Sequence, residues 1–182
     1  MKKIYEFKNS LNIGKNGEET IKNYLYSLEN VLRVESVQDD KKYQNDDIDF
    51  IVYMKNNKKF TVEVKSDTYT SGNLYYETKS CIEFNTLGCL EKTKADFIFY
   101  YFINFDTLYI FKTNKFRDWV REEIKSYYSN PSLSKLKKSS VINRLSKNNN
   151  KTYTSEGFTI PLKHIENNLL NKKVYKKYVN IA

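Results

Sequence analysis

An α/β or α+β domain around a mixed β-sheet is the fold that the sequence predicts, on three observations. Helix and strand patterns run in the order helix, three strands, a short strand, two strands, helix, the order of a sheet with helices packed on it. Two strand pairs are separated by short polar turns and read as hairpins. The 182 residues and 21.7 kDa are enough for one domain with its own core.

Each element has its own signal. Ile21, Leu25 and Leu28, with Tyr24 beside them, recur at helical spacing and predict a helix over residues 16–30. Gly14 and Gly17 stand just ahead of its expected first turn, where Glu18 and Glu19 suit the positive helix end. A strand over 32–37 and a polar loop over 38–46 follow. Residues 47–54, Asp-Ile-Asp-Phe-Ile-Val-Tyr-Met, read as a strand, Lys55, Asn56 and Asn57 as a turn, and 60–65 as the returning strand. Residues 74–77 form a further short strand, and 81–94 are ambiguous because Gly88 interrupts any helix there. Residues 96–105 and 107–112 predict a second hairpin turning at 104–106. Residues 114–128 predict an amphipathic helix burying Phe116, Trp119, Val120, Ile124 and Tyr127. Residues 130–151 are the least globular part, and a strand over 153–160 and a helix over 162–170, opened by Pro161, close the chain. The expected organisation is a core over 1–130, with 131–182 as a basic extension whose strand and helix pack on the same domain.

Charge narrows the function. Lys plus Arg number 31 against 22 Asp plus Glu, a formal net charge of +9 and a pI near 9.3. That balance favours a polyanionic partner, usually nucleic acid. Abundant Lys, Asn, Ile and Tyr also have the look of A/T-biased coding, which inflates lysine whatever the function. The arginines are Arg33, Arg117, Arg121 and Arg144. Base reading in the major groove favours arginine, so few of them argue for backbone contact. Cys81 and Cys89 are too few for a disulfide scaffold, and without neighbouring Cys or His they do not make a zinc site. No signal-peptide pattern and no apolar run near the roughly 18 residues of a membrane span are present. A cytoplasmic protein with no membrane partner is expected.

The first hairpin carries the chemistry. Asp49 lies on its first strand and Glu63 and Lys65 on its second; two residues apart, Glu63 and Lys65 share a face. With a three-residue turn, Asp49 falls opposite Glu63, and cross-strand Cβ atoms are about 5 Å apart. Two carboxylates so close repel unless a cation lies between them. Mg2+ (or Mn2+) suits oxygen donors of this kind, and Lys65 beside them can orient or deprotonate a water or stabilise a phosphorane-like state. Acid-x-Lys alone is a weak signal, since it also occurs at Glu6, Asp39, Asp40, Glu77 and Glu123. Only the Glu63 copy sits on an apolar strand whose hairpin partner carries an acid.

Gly17-Glu18-Glu19-Thr20-Ile21, then Asp47-Ile48-Asp49-Phe50-Ile51-Val52, then Val62-Glu63-Val64-Lys65 resemble the PD-(D/E)XK nuclease superfamily, which includes restriction endonucleases and archaeal-type Holliday junction resolvases. The likeness covers about residues 14–112. It implies a restriction-endonuclease-like mixed β-sheet flanked by helices, and a metal-dependent DNA endonuclease; the A/T-biased look adds the expectation of a phage or mobile-element origin. It implies that Asp49 and Glu63 bind metal, that Lys65 is the catalytic lysine, and that Glu18 completes the metal site. Glu19 competes with Glu18 and Asp47 with Asp49. Glu18 falls on the stripe of Ile21 and Leu25; strand periodicity does not choose between the aspartates. Ile48 stands where the name-giving proline would be. Glu77 is either an outer ligand or a rim carboxylate beside Lys79.

The remaining candidates are weaker. His164 is far in sequence from the acids and suits a surface or helix-lining role. Tyr69, Tyr75 and Tyr76 are candidates for stacking on bases. Lys135, Lys137, Lys138, Arg144 and Lys147 form a candidate DNA-contacting segment, or a solvated connector. Duplex or branched DNA is the expected partner, and a homodimer would supply two sites for two strands. A Holliday junction resolvase, and a non-catalytic DNA-binding or inhibitory protein on the same fold, are the alternatives.

Overall fold

The computed structural model describes residues 4–146 and 149–169, with side chains for 11–144 and 151–169. In chain order the elements are β1 (Ile4–Glu6), α1 (Phe7–Ser27), β2 (Val31–Ser36), α2 (Lys41–Asn45), β3 (Phe50–Met54), β4 (Lys59–Asp67), β5 (Asn73–Cys81), β6 (Thr86–Leu87), α3 (Cys89–Lys92), β7 (Phe97–Phe102), β8 (Thr107–Lys112), α4 (Thr113–Ser129), β9 (Lys137–Ser146), β10 (Asn149–Pro161) and α5 (Leu162–Asn168). The protein is a mixed α/β structure with mixed sheets and flanking helices. Among the described residues no helix is long and apolar enough to cross a membrane.

The chain divides into two compact units that interleave in sequence, where one boundary near residue 130 was expected. Unit I takes its described residues from Ile13–Tyr69 and Thr93–Asn114. Its five-stranded sheet has the order β2-β3-β4-β7-β8, antiparallel except for the β4–β7 pair. The first hairpin has the expected turn: Met54 N–H donates to the Lys58 carbonyl at 2.8 Å, and Asn57 takes a left-handed φ of 62°. Asn tolerates that conformation better than most residues. The register that results pairs Phe50 with Val62 and Ile51 with Thr61. One face of this sheet, carrying Phe50, Val52, Val62, Val64, Phe99 and Tyr101, packs with Ile21 and Leu25 of α1.

Helix α1 begins nine residues earlier than expected, and both glycines lie inside it. A Cβ at Gly17 would run into the Ser66 side chain of β4. The glycine thus costs helix propensity, about 1 kcal/mol, and permits the closest approach of helix to sheet. The loop expected over 38–46 contains α2, whose first turn is capped by Asp40 accepting from Lys42 N–H at 2.9 Å.

Unit II takes its described residues from Met1–Asn12, Thr70–Lys92 and Lys115–Lys172. Its sheet has the order β1-β9-β10-β5-β6, with β1 and β9 parallel. Leu74, Tyr76, Leu90, Phe116, Val120, Phe158, Ile160 and Ile165 are buried in it. Of the face expected on α4, Phe116 and Val120 are buried, and Trp119, Ile124 and Tyr127 are half-buried. The stretch read as least globular is largely a long strand pair, β9 and β10. Lys and Ser at its exposed positions hide the strand pattern, and pairing with β1 and β10 supplies what local propensity does not.

Candidate active site

The acids of unit I are placed by backbone bonds around the mouth of the first hairpin. The chain leaves α2 through Asp47, which adopts a left-handed φ of 45°. The Asp47 carbonyl accepts from the buried Thr93 hydroxyl at 2.6 Å. Asp49 then lies just ahead of β3. Its N–H donates to the Val62 carbonyl and its carbonyl accepts from Val37 N–H, both at 2.9 Å. Continuing the Phe50–Val62 register by one residue puts Asp49 opposite Glu63, as the three-residue turn dictates.

The side chains meet there. Asp49 Oδ2 accepts from Val64 N–H at 2.7 Å. Glu63 is buried, 7% exposed, and its carboxyl is hydrogen-bonded to that of Asp49. Burial pushes Glu63 well above the usual carboxylate range, and the charges of Asp49 and Asp47 add to it while Lys65 opposes. Burial also raises Asp49, to about 6, against the bond from Val64 N–H. A hydrogen bond between two carboxyls needs one proton between them, and the stronger upward push on Glu63 favours that residue as its holder.

Between Asp47 and Asp49, the contact with Glu63 belongs to Asp49; Asp47 acts on the pair at longer range. Alternation did not separate the two aspartates because residues 47–49 precede the strand, and Asp47 has left the extended conformation. Between Glu18 and Glu19, Glu18 is half-buried on the side of Ile21 and Leu25, and Glu19 is exposed. Burial raises the Glu18 carboxyl, with Lys15 opposing and Asp39 reinforcing. Its charge reaches Asp49. Among the described residues, though, no three His, Cys, Asp or Glu side chains are gathered closely enough to hold a metal ion. The gathered pair is Asp49 and Glu63. Helix α1 packs on the sheet face opposite to that of Glu63 and Lys65. Beside it opens a cleft of about 270 Å³ lined by Lys15, Glu18, Glu19, Lys22, Ser36, Gln38 and Phe50.

Lys65 follows Glu63 on the same face of β4, half-buried, and Asp67 follows Lys65. Asp67 is buried; its Oδ1 accepts from Tyr69 N–H at 2.7 Å and its Oδ2 from the Tyr100 hydroxyl at 2.8 Å. Sequence reasoning stopped at Lys65 and missed Asp67, although the same two-residue step that linked Glu63 to Lys65 reaches it. Lys15 and Lys22 were also missed; their spacing of seven along α1 was the available signal.

The other expected residues belong to unit II. Glu77 is half-buried on β5, its backbone hard against Gly88, while Lys79 Nζ bonds Asn85 Oδ1 at 2.6 Å. Tyr76 is fully buried and donates to Glu91 Oε1 at 2.9 Å, so it is core and not a stacking platform. Tyr75 is half-buried; Tyr69, of unit I, is exposed. Lys135 and Lys137 are exposed, and Arg144 is half-buried. Lys138 bridges Glu156 at 3.1 Å, and Lys147 lies outside the described residues. His164 sits beside Trp119, its Nε2 hydrogen-bonded to Glu123 Oε2 at 2.8 Å, a helix-lining role.

No family model, curated protein or solved structure matches the chain. The chemistry therefore rests on the side chains themselves. What the structure gathers is two carboxyls joined across the hairpin, with a lysine on the same strand face.

Proposed function

We propose that the chain is a metal-dependent DNA endonuclease of the PD-(D/E)XK type, with a restriction-endonuclease-like core in unit I. The observation that carries the reading is the Asp49–Glu63 carboxyl pair, closed across the hairpin, with Lys65 on the same face. Asp49 and Glu63 would hold Mg2+ or Mn2+, with Glu18 completing the site and the Val64 carbonyl as a further oxygen donor. The ion, once bound, supplies an acidified water and neutralises charge on the phosphate.

The residues do the rest. Val64 N–H holds Asp49 Oδ2 and so fixes the carboxylate's orientation. Burial keeps bulk water away from Glu63 and strengthens every charge interaction there. Lys65 brings an ammonium to the side where the phosphorane-like state gains charge. Lys15 and Lys22 border the cleft beside Glu18, where a phosphate backbone could follow α1. The net charge of +9 and the exposed Lys135 and Lys137 support DNA as the polyanion. A homodimer would present two such sites.

The test is cleavage of supercoiled plasmid and of a synthetic four-way junction, with Mg2+ or EDTA, by wild type and Lys65→Ala. Metal-dependent cutting that Lys65→Ala abolishes supports the reading, and preference for the junction would make the enzyme a resolvase. Tight DNA binding in EDTA with no cutting in Mg2+ would reject it in favour of a non-catalytic binder.

A further inference from the structure

We propose that Tyr100 and Asp67 are positioning residues for Lys65, so that the working motif is Glu63-x-Lys65-x-Asp67 with Tyr100 as its brace. The inference rests on the nuclease reading above and extends it to what holds the lysine in place. Strand alternation puts Glu63, Lys65 and Asp67 on one face of β4, in steps of about 7 Å. In the parallel β4–β7 ladder Lys65 is partnered by Tyr100. Lys65 and Tyr100 are thus neighbours across the ladder on one sheet face, with Glu63 before the lysine along the strand and Asp67 after it.

Tyr100 is fixed at both ends. Its ring is 1% exposed and packs on Phe102, centroids 5.0 Å apart, and Phe102 packs on Tyr109 at 5.7 Å. Its hydroxyl donates to Asp67 Oδ2 at 2.8 Å. Asp67 is fixed in turn by Tyr69 N–H on its other oxygen. A free lysine side chain carries about 2 kcal/mol of rotamer entropy, and a catalytic group must be held within about 0.5 Å to be effective. A ring that cannot swing and a carboxyl that cannot turn restrict those rotamers.

Ending the strand is a separate task that Asp67 performs through Tyr69 N–H. The Tyr100→Phe variant separates the two, because it keeps the ring, its packing and the Tyr69 bond and removes only one hydroxyl. Tyr101→Phe is the matched control. It removes a hydroxyl donating to Asp106 Oδ1 at 2.7 Å, from the adjacent residue on the opposite face of the same strand. Both variants should lose similar, small amounts of thermal stability. Tyr100→Phe should lower kcat for plasmid or oligonucleotide cleavage about tenfold with KM little changed, and Tyr101→Phe should change neither. In metal-free protein, a lysine-selective NMR spectrum should show the Lys65 amino signal shifted by Tyr100→Phe and not by Tyr101→Phe.

Asp67→Asn, which keeps an acceptor oxygen for Tyr100, should retain more activity than Asp67→Leu. Should wild type cut and Lys65→Ala not, while Tyr100→Phe behaves like Tyr101→Phe in kcat or in the Lys65 signal, this inference alone is overturned. Should wild type fail to cut with Mg2+ or Mn2+, the nuclease reading falls and the inference with it.

Discussion

The Asp49→Asn substitution removes a charge that the folded chain holds at a cost. Burial raises the Asp49 carboxyl from 3.8 to about 6 against the Val64 N–H bond, with the charge of Glu18 adding to it. A carboxyl whose folded pKa is raised binds its proton more tightly when folded. Its penalty is therefore absent below about pH 3.8, grows as pH rises and is complete above about pH 6. The gap of about 2 pH units, at about 1.4 kcal/mol each, gives about 3 kcal/mol. That is an upper figure, because the residue is only half-buried and water screens part of it. At pH 4 the same expression gives about 0.6 kcal/mol.

The substituted amide keeps an oxygen for Val64 N–H and offers Glu63 a donor, so packing is preserved. In EDTA at pH 8, Asp49→Asn should raise Tm by up to roughly 6–12 °C for a chain of this length, and by far less at pH 4. Mg2+ at 100 times its dissociation constant should stabilise wild type by about 2.7 kcal/mol and leave the variant unmoved. Thermal unfolding followed by circular dichroism at the two pH values reads all of this. An equal Tm difference at pH 4 and pH 8, or a variant less stable than wild type at pH 8, would refute the reasoning.

Gly17→Ala, driven into Ser66, should destabilise by about 1–3 kcal/mol, read as a lower denaturant midpoint. Glu18→Gln should lower metal-dependent cleavage at least about tenfold, whereas exposed Glu19→Gln should leave the rate within about twofold; equal effects would return Glu19 to candidacy. Because a carboxyl whose proton is held above the usual range must release it to a cation, Mg2+ affinity should rise with pH, and calorimetry in buffers of different ionisation enthalpy should register proton release. Lys135→Glu and Lys137→Glu should each reduce the salt slope of DNA binding by about 1, and an unchanged slope would remove both lysines from the interface.

Much of the site was legible because its geometry is local. A hairpin with a three-residue turn has one register, and that register alone sets Asp49 across from Glu63. The stripe of Ile21 and Leu25 likewise turned Glu18 inward and left Glu19 outside, whatever the helix packs on. The glycines of α1 misled because, by propensity, glycine marks a boundary. Gly17 is instead explained by Ser66, a residue 49 positions later. Asp47 was mis-assigned to a strand because its left-handed turn is held by Thr93, also remote in sequence.

By itself, then, the sequence determined the elements of the first hairpin, its register, the pairing of its two acids and the face that Lys65 shares with them. Short-range sterics and strand alternation suffice for each of these. Only the tertiary structure decided that the chain folds as two interleaved units, that basic residues 137–146 lie in a strand, and that Tyr76 is core. It alone showed Asp67 and Tyr100 in contact on the face that carries Lys65. Each of those depends on partners brought together from distant parts of the chain, where burial and long-range hydrogen bonding outweigh local propensity.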